Sequence, residues 1–283
     1  MNKLKKISTV IPTFNRDNFL KKTIESCLDQ TLKHEIIICN HGSTDKTDEV
    51  VMQFGENIKY IKKNKDYGPH FCWLDGILAA EGEYINLLFD DDWLEKNYLE
   101  ECMKYFDYTE VGFVFSAAKI YDNEKQQITH SLHDKFITKS GIFKTSKYES
   151  YFLRYLISPT SIIIRKKDII DSIFIGKLPF AKHTYKGVGP DKLMILLCLL
   201  RYKNFGYVNE TLSVYRSHKD SITIDSSLSK SKEYLLKKSY EEVNNYYYTL
   251  KYGKHFSNLQ NRYFLILRVK IKNILNKIFN FFS

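Results

Sequence analysis

The chain has 283 residues, 43% hydrophobic and 27% charged, which is enough for a sizeable core and excludes a disordered or low-complexity protein. Five cysteines without paired spacing suggest neither a zinc site nor a disulfide framework and fit a reducing cytosol. The formal net charge of +10 calls for an anionic partner, yet without residues 243–283, which hold seven Lys and Arg and no acid, it falls to +3, too little to drive nucleic-acid binding by the rest.

The N-terminal apolar stretch is too short for a signal peptide, and no stretch approaches a membrane span, so a cytoplasmic location is expected. Ile7–Ile11 reads as a strand stopped by Pro12, and Phe19, Leu20, Ile24, Cys27 and Leu28 recur at helical spacing. Glu35–Cys39 is a second strand, Ser43-Thr44-Asp45 caps a helix through Phe54, and Ile58–Ile61 is a third strand. Residues from about Pro69 to Ala80 read as helix and Tyr84–Phe89 as the fourth strand. Such alternation predicts βαβ units in an α/β sheet. Farther on, Val111–Ser116 and Lys119–Tyr121 look like strands, Tyr148–Leu156 like a helix and Ser161–Ile164 like a strand. Gly176–Gly189 reads as a mobile loop, Leu193–Leu200 as a buried helix, Phe205–Val208 and Leu212–Tyr215 as strands, and residues 228–252 as a Tyr-rich helix.

The fourth strand ends in Asp90-Asp91-Asp92. Ligands of such sheets bind beyond the strands' carboxyl ends, and adjacent carboxylates repel unless a proton or cation is shared. Hard oxygen ligands of this kind suit Mg²⁺ or Mn²⁺ carrying a diphosphate. Asp92, three residues before Glu95, also fits a helix N-cap with its capping-box partner. That reading does not require Asp90 and Asp91, which are assigned to the metal site.

Val-Ile-Pro-Thr-Phe-Asn-Arg (10–16), Gly-Ser-Thr-Asp (42–45), Gly-Glu-Tyr-Ile (82–85) and the Asp cluster together resemble family 2 glycosyltransferases of the GT-A fold. The match in order and spacing covers about the first 106 residues. The resemblance implies a Rossmann-like, mostly parallel central sheet flanked by helices, here with a helical C-terminal extension. It also implies a nucleotide-sugar donor, UDP-linked by expectation, a divalent cation (Mn²⁺ or Mg²⁺), and inverting transfer to a hydroxyl of a glycan or lipid-linked acceptor in capsule or lipopolysaccharide synthesis.

Residue by residue, the resemblance implies that Pro12, Thr13, Phe14, Asn15 and Arg16 meet the base and ribose. In the loop after the second strand, His41 stands where the family has an acid for the base, with Asn40 beside it as an alternative acceptor. Asp66 lies in the loop flanking the nucleotide, and Asp90 and Asp91 meet the ribose and the metal-bound diphosphate. Asp191, at the start of a helix beyond the metal motif, takes the place of the general base, although Pro190-Asp191 is also an ordinary helix start. In Tyr215–Thr223, Arg216 is placed at the diphosphate and His218 at the metal, and Ser158–Ser161 resembles the acceptor-side wall.

Residues 1–227 are thus read as the glycosyltransferase domain, with 1–110 the nucleotide-binding half and 111–227 the acceptor-binding half. Residues 228–283 form a helical basic extension. From Phe264 to Phe282 one helical face is apolar and its flanks are basic, which fits a peripheral anchor on the inner membrane surface or a helix docked on protein. The rival readings are a nucleotidyltransferase of a sugar phosphate, disfavoured because Pro12–Arg16 contains no glycine, and a non-catalytic basic binding module.

Overall fold

The computed structural model describes residues 6–108, 110–174, 177–179, 181–182, 188–219, 221 and 229–253. The first half alternates as expected: β1 (Ile7–Thr13), α1 (Asp17–Leu28), β2 (Glu35–His41), α2 (Thr47–Met52), β3 (Lys59–Lys63), α3 (Pro69–Ala79) and β4 (Tyr84–Leu87). The second half contains β5 (Trp93–Leu94), α4 (Tyr98–Met103), β6 (Val111–Asp122), β7 (Gln127–Leu132), β8 (Gly141–Lys144), α5 (Thr145–Arg154) and β9 (Ile162–Arg165). It continues through α6 (Lys166–Ser172), α7 (Pro190–Arg201), β10 (Asn204–Ser217) and α8 (Lys230–Gly253).

One mixed sheet runs in the order β3-β2-β1-β4-β9-β6-β10-β5, with β7 beside β6 and β8 beside β10. The strands β1 to β4, β6 and β10 share one direction, and β9, inserted between β4 and β6, runs against them. Successive side chains point to opposite faces, so Val10 and Ile37 join one core under α3, α5, α7 and α8, while Ile11, Ile36 and Ile38 join a second under α1, α2 and α4. This GT-A arrangement, Rossmann-like with helices on both faces, brings the carboxyl ends of β1, β2 and β4 to one edge.

Several boundaries differ from those expected. Pro12 does not stop β1: Pro12 and Thr13 still pair with Cys39 and Asn40 of β2. The Val10 carbonyl accepts from Leu88 N–H, so Pro12, two residues on, faces the side where β4 has already ended, and its missing N–H costs the ladder nothing. Asp92 is not an N-cap, because β5 intervenes and α4 begins after Asn97. The second helix starts at Thr47, with Lys46 as its cap residue, and Asp45 instead accepts from the Thr47 and Asp17 amides at 3.0 and 3.1 Å. The pairs of short strands expected at 111–121 and 205–215 are each one long strand, paired in parallel with register shifts around Thr211.

Half of the segment Gly176–Gly189 lies outside the described residues, and the apolar face from Phe264 to Phe282 lies wholly outside them. Helix α8 buries Val243, Tyr247 and Tyr248 in the core beneath α7. Among the described residues no helix is long and apolar enough to cross a membrane.

Candidate active site

Beyond Leu87 the chain turns tightly, the Asp92 amide donating to the Phe89 carbonyl at 3.1 Å. Thr23 Oγ1 in α1 fixes the turn by donating to the Asp90 and Asp92 carbonyls at 3.0 and 2.7 Å. The three carboxylates then diverge. Asp90 lies 3.8 Å from Arg16 Nε, and Asp91 Oδ2 lies 2.9 Å from His218 Nε2. Asp92, 5% exposed, accepts from Thr160 Oγ1 at 2.7 Å and from the Arg216 amide at 2.9 Å. It therefore ties the β4 turn to the segment before β9 and to β10, the physical reason that the capping reading fails. Burial, then the neighbouring Asp91 charge, raises Asp90 to about 7 and Asp92 well above the carboxylate range.

The structure brings the predicted metal and diphosphate residues together but gives Arg216 a different posture. Its Nε donates to the Asp91 carbonyl at 2.9 Å and a terminal nitrogen to Asn123 Oδ1 at 2.7 Å. The guanidinium lies 4.8 Å from the Phe19 ring and 5.0 Å from Trp93. Arg216 is thus packed behind the acids and braces their backbone. His218 is 5% exposed and packs against Phe19 at 4.8 Å between ring centroids, with Asp91 on its Nε2.

On the nucleotide side, the loops after β1 and β2 are stitched together. Asn15 adopts a φ of 53°, its amide donates to Ser43 Oγ at 2.9 Å, and its Oδ1 accepts from the Thr44 amide at 2.8 Å. The Arg16 amide reaches Thr47 Oγ1 at 3.3 Å. Gly42 has φ +75°, and a Cβ there would lie 2.8 Å from the Lys65 carbonyl carbon, so the β2 loop presses on the loop that carries Asp66. Pro12 and Thr13 are buried in β1, whereas Phe14 is 43% exposed and Tyr67, next to Asp66, 56%.

The two expected base acceptors are both buried. His41 is 1% exposed, and its Nε2 lies 3.1 Å from Asp75 Oδ2, a carboxylate also 3.2 Å from Lys63 Nζ. As the last residue of β2, two on from Cys39, it shares that residue's face and lies beside Cys39 and Cys72, with ligand atoms of the three within 4.8 Å. The Cys72 thiol there donates to the Cys39 carbonyl at 2.9 Å. Asn40, fully buried, donates to Asp48 Oδ1 at 3.0 Å and Tyr60 hydroxyl at 2.8 Å, and its Oδ1 accepts from the Ser43 amide at 3.1 Å. Its amide shapes the loop. Asp66 is exposed, and one oxygen accepts from the Gly68 amide at 2.7 Å to turn the chain into α3.

Asp191 stands in the first turn of α7, after Gly189 and Pro190. Its Oδ1 accepts the Gly189 and Lys192 amides at 3.0 and 2.9 Å, and its Oδ2 accepts from Tyr240 hydroxyl of α8 at 2.7 Å. Burial raises its carboxyl above the usual range, opposed by these hydrogen bonds and by the nearby His70 of α3. Lys192 beside it is 5% exposed, sends Nζ to the Leu153 carbonyl at 2.8 Å, and is lowered by burial to about 8.

Thr23, Asn123 and Tyr240 escaped the sequence reading because isolated hydroxyls and amides carry no spacing signal. Thr160 falls within Ser158–Ser161, where only the resemblance marked it. The whole arrangement offers carboxylates and an imidazole beyond the end of β4, a cation in Arg16, and a separate carboxylate at a helix start.

Residues 8–174 match the family described as "Glycosyl transferase family 2". The chain is 27% identical over 232 residues to glycosyltransferase GlyA of Streptococcus pneumoniae, covering 77% of this chain and 31% of GlyA. It is 28% identical over 220 residues to the minor teichoic acid biosynthesis protein GgaB of Bacillus subtilis, covering 75% of this chain and 23% of GgaB. The chain thus spans a third or less of these two relatives. Among solved structures, S. aureus TarS 1-349 in complex with UDP superposes with a TM-score of 0.60 at 17% identity, covering 91% of this chain and 77% of TarS 1-349, a likeness of fold alone.

Proposed function

The chain belongs to glycosyl transferase family 2, and from that premise we propose that it moves a hexose from a nucleotide sugar, with inversion, to a hydroxyl of a glycan or lipid-linked acceptor in surface polysaccharide synthesis. The observation that carries the reading is the meeting of Asp91 Oδ2 and His218 Nε2 at 2.9 Å beyond the end of β4, with Asp90 next in the chain and turned toward Arg16. A carboxylate oxygen and an imidazole nitrogen form a donor set that fits Mn²⁺, and less closely Mg²⁺. Asp91, His218 and Asp90 would hold the ion, which when bound neutralises charge developing on the diphosphate.

The chain's own groups account for the remaining steps. Phe14 and Tyr67 offer exposed aromatic faces for a nucleobase, and Thr13, Asn15 and Asp66 line the same edge. Arg16, next to Asp90, supplies a cation for phosphate oxygens. Arg216 keeps the Asp91 main chain in place. Asp191 removes the acceptor hydroxyl's proton as that oxygen bonds to the anomeric carbon, while the opposite bond to the diphosphate breaks and the nucleoside diphosphate leaves with its electron pair. UDP is the favoured nucleotide, since the similarly folded TarS 1-349 was solved in complex with it. GgaB, whose name places it in teichoic acid biosynthesis, supports an acceptor of the surface-glycan class.

The test is release of nucleoside diphosphate from UDP-, GDP- and dTDP-sugars with Mn²⁺, with and without chelator, in the presence of a lipid-linked glycan acceptor. Turnover of one nucleotide class that chelator abolishes, with the product's anomeric configuration inverted, is the expected result. No turnover of any donor would overturn the reading. The inner membrane surface is proposed as a further partner on the apolar face of the sequence from Phe264 to Phe282 and its basic flanks alone. Deleting residues 256–283 should release the protein from acidic-lipid vesicles, and retention after deletion would refute it.

A further inference from the structure

We propose that Tyr240, on α8, is a positioning residue for Asp191, its hydroxyl holding one carboxylate oxygen while the α7 start holds the other. The inference rests on the reading of Asp191 as the general base. Asp191 Oδ1 is fixed by the amides of Gly189 and Lys192, which lie in its own turn. Those two contacts restrain one oxygen and leave the carboxylate free to tilt. The Tyr240 hydroxyl, 2.7 Å from Oδ2, supplies the second point and defines the carboxylate plane. A carboxylate oxygen accepts two hydrogen bonds, so Oδ2 retains a lone pair for the acceptor hydroxyl.

Burial and the Asp191 charge keep the Tyr240 phenol protonated, which makes it a permanent donor in this pair. Among the described residues, the other charged or titratable groups facing Asp191 are His70 from α3 and Lys192 from its own helix. The Lys192 ammonium is turned away to the Leu153 carbonyl and lies 5.9 Å from the Tyr240 ring. None of these replaces a hydroxyl donating to Oδ2.

Helix α8 does not need that hydroxyl to dock. Asn244 Nδ2 donates to the Leu153 carbonyl at 3.0 Å, Lys251 Nζ meets Glu149 at 2.5 Å, and Val243, Tyr247 and Tyr248 are buried. The contact between Tyr240 and Asp191 is therefore separable from the fold. It also means that a helix beyond residue 174, where the family match ends, reaches the reaction centre.

Two measurements on the full chain test the proposal. The first is a ¹³C NMR titration of the Asp191 carboxyl, assigned by its loss in Asp191→Asn, in the wild type and in Tyr240→Phe. A donor to the charged form lowers a carboxyl pKa, so its removal should move the Asp191 midpoint up by about one pH unit. The second is the pH profile of UDP-GlcNAc hydrolysis with Mn²⁺, water serving as acceptor. Tyr240→Phe should fall roughly tenfold below wild type at the acid end and stay within about twofold at the alkaline end, with donor KM unchanged. An unchanged Asp191 midpoint in Tyr240→Phe, or a rate lowered equally at every pH, would overturn the proposal. Asp191→Asn hydrolysing at the wild-type rate would instead bring down the base assignment itself, whatever Tyr240→Phe shows.

Discussion

His218 Nε2 and Asp91 Oδ2 are 2.9 Å apart although 127 residues separate them in the chain. The carboxylate at the end of the fourth strand is therefore oriented by the segment that follows the last strand. With His218 held against Phe19, the pair presents an oxygen and a nitrogen to one point.

Asp91→Ala removes the oxygen of that pair. Donor turnover with Mn²⁺ should fall by about 10²-fold or more, because lost charge compensation at a diphosphate amounts to several kcal/mol. Asp91 is not a fully buried anchor of the fold, unlike Asp92, so thermal unfolding should stay close to that of the wild type. Calorimetry and nucleotide-release assays on the same preparation check both halves.

Asp191→Asn keeps the size and one acceptor oxygen but cannot take a proton. Isothermal titration should find nucleotide affinity within about twofold of wild type, while transfer drops by roughly 10²–10⁴-fold. Loss of affinity along with rate would mark the residue as structural.

Lys192 yields a prediction about stability and pH. Its folded pKa of about 8 lies below the ordinary 10.5, so between these values the unfolded chain binds more protons and stability rises with pH. Below pH 8 the full penalty for the buried ammonium is present. Lys192→Met should therefore be more stable than wild type by about 1–3 kcal/mol at pH 7, the gap narrowing as pH climbs from 8 toward 10.5. The Leu153 carbonyl keeps Asn244 as donor in the variant. Urea midpoints at pH 7 and pH 10 decide it; a gap that widens with pH would contradict the assignment.

Gly42→Ala forces a side chain into a left-handed φ and against the Lys65 carbonyl carbon at 2.8 Å. The two nucleotide-side loops must part, costing about 1–3 kcal/mol of stability. Nucleotide affinity should weaken in the same variant, measurable by titration with UDP and Mn²⁺.

The first four strands and their helices were legible because their apolar runs are short, continuous and separated by turn residues. The insertion of β9 against its neighbours was not, since Ile162–Ile164 reads alike in either direction. Likewise β6 and β10 each read as two strands: Asn209, Glu210 and Thr211 interrupt the apolar pattern where the paired register shifts, while the backbone continues. At the site, the run of acids ending an apolar strand pointed to Asp90 and Asp91, whereas Arg16 and Asp191 came only with the family resemblance. The posture of His41, Asn40 and Arg216 could not be read the same way, because it depends on Asp75, Asp48, Tyr60 and Asn123, partners that only the folded chain brings near.

The links from Arg216 to Asp92 and from His218 to Asp91 span 124 and 127 residues, and that distance sets an order of events during synthesis. The acids emerge from the ribosome early, meet Thr23 and Arg16 at once and Thr160 later, and wait for these two contacts until more than a hundred further residues have followed. A nascent chain ending after β9 can build β1 to β4 and still lack both braces. The nucleotide-side loops and the Thr160 contact to Asp92 can thus form first, and the pairing of Asp91 with His218 comes last, when β10 closes against β6.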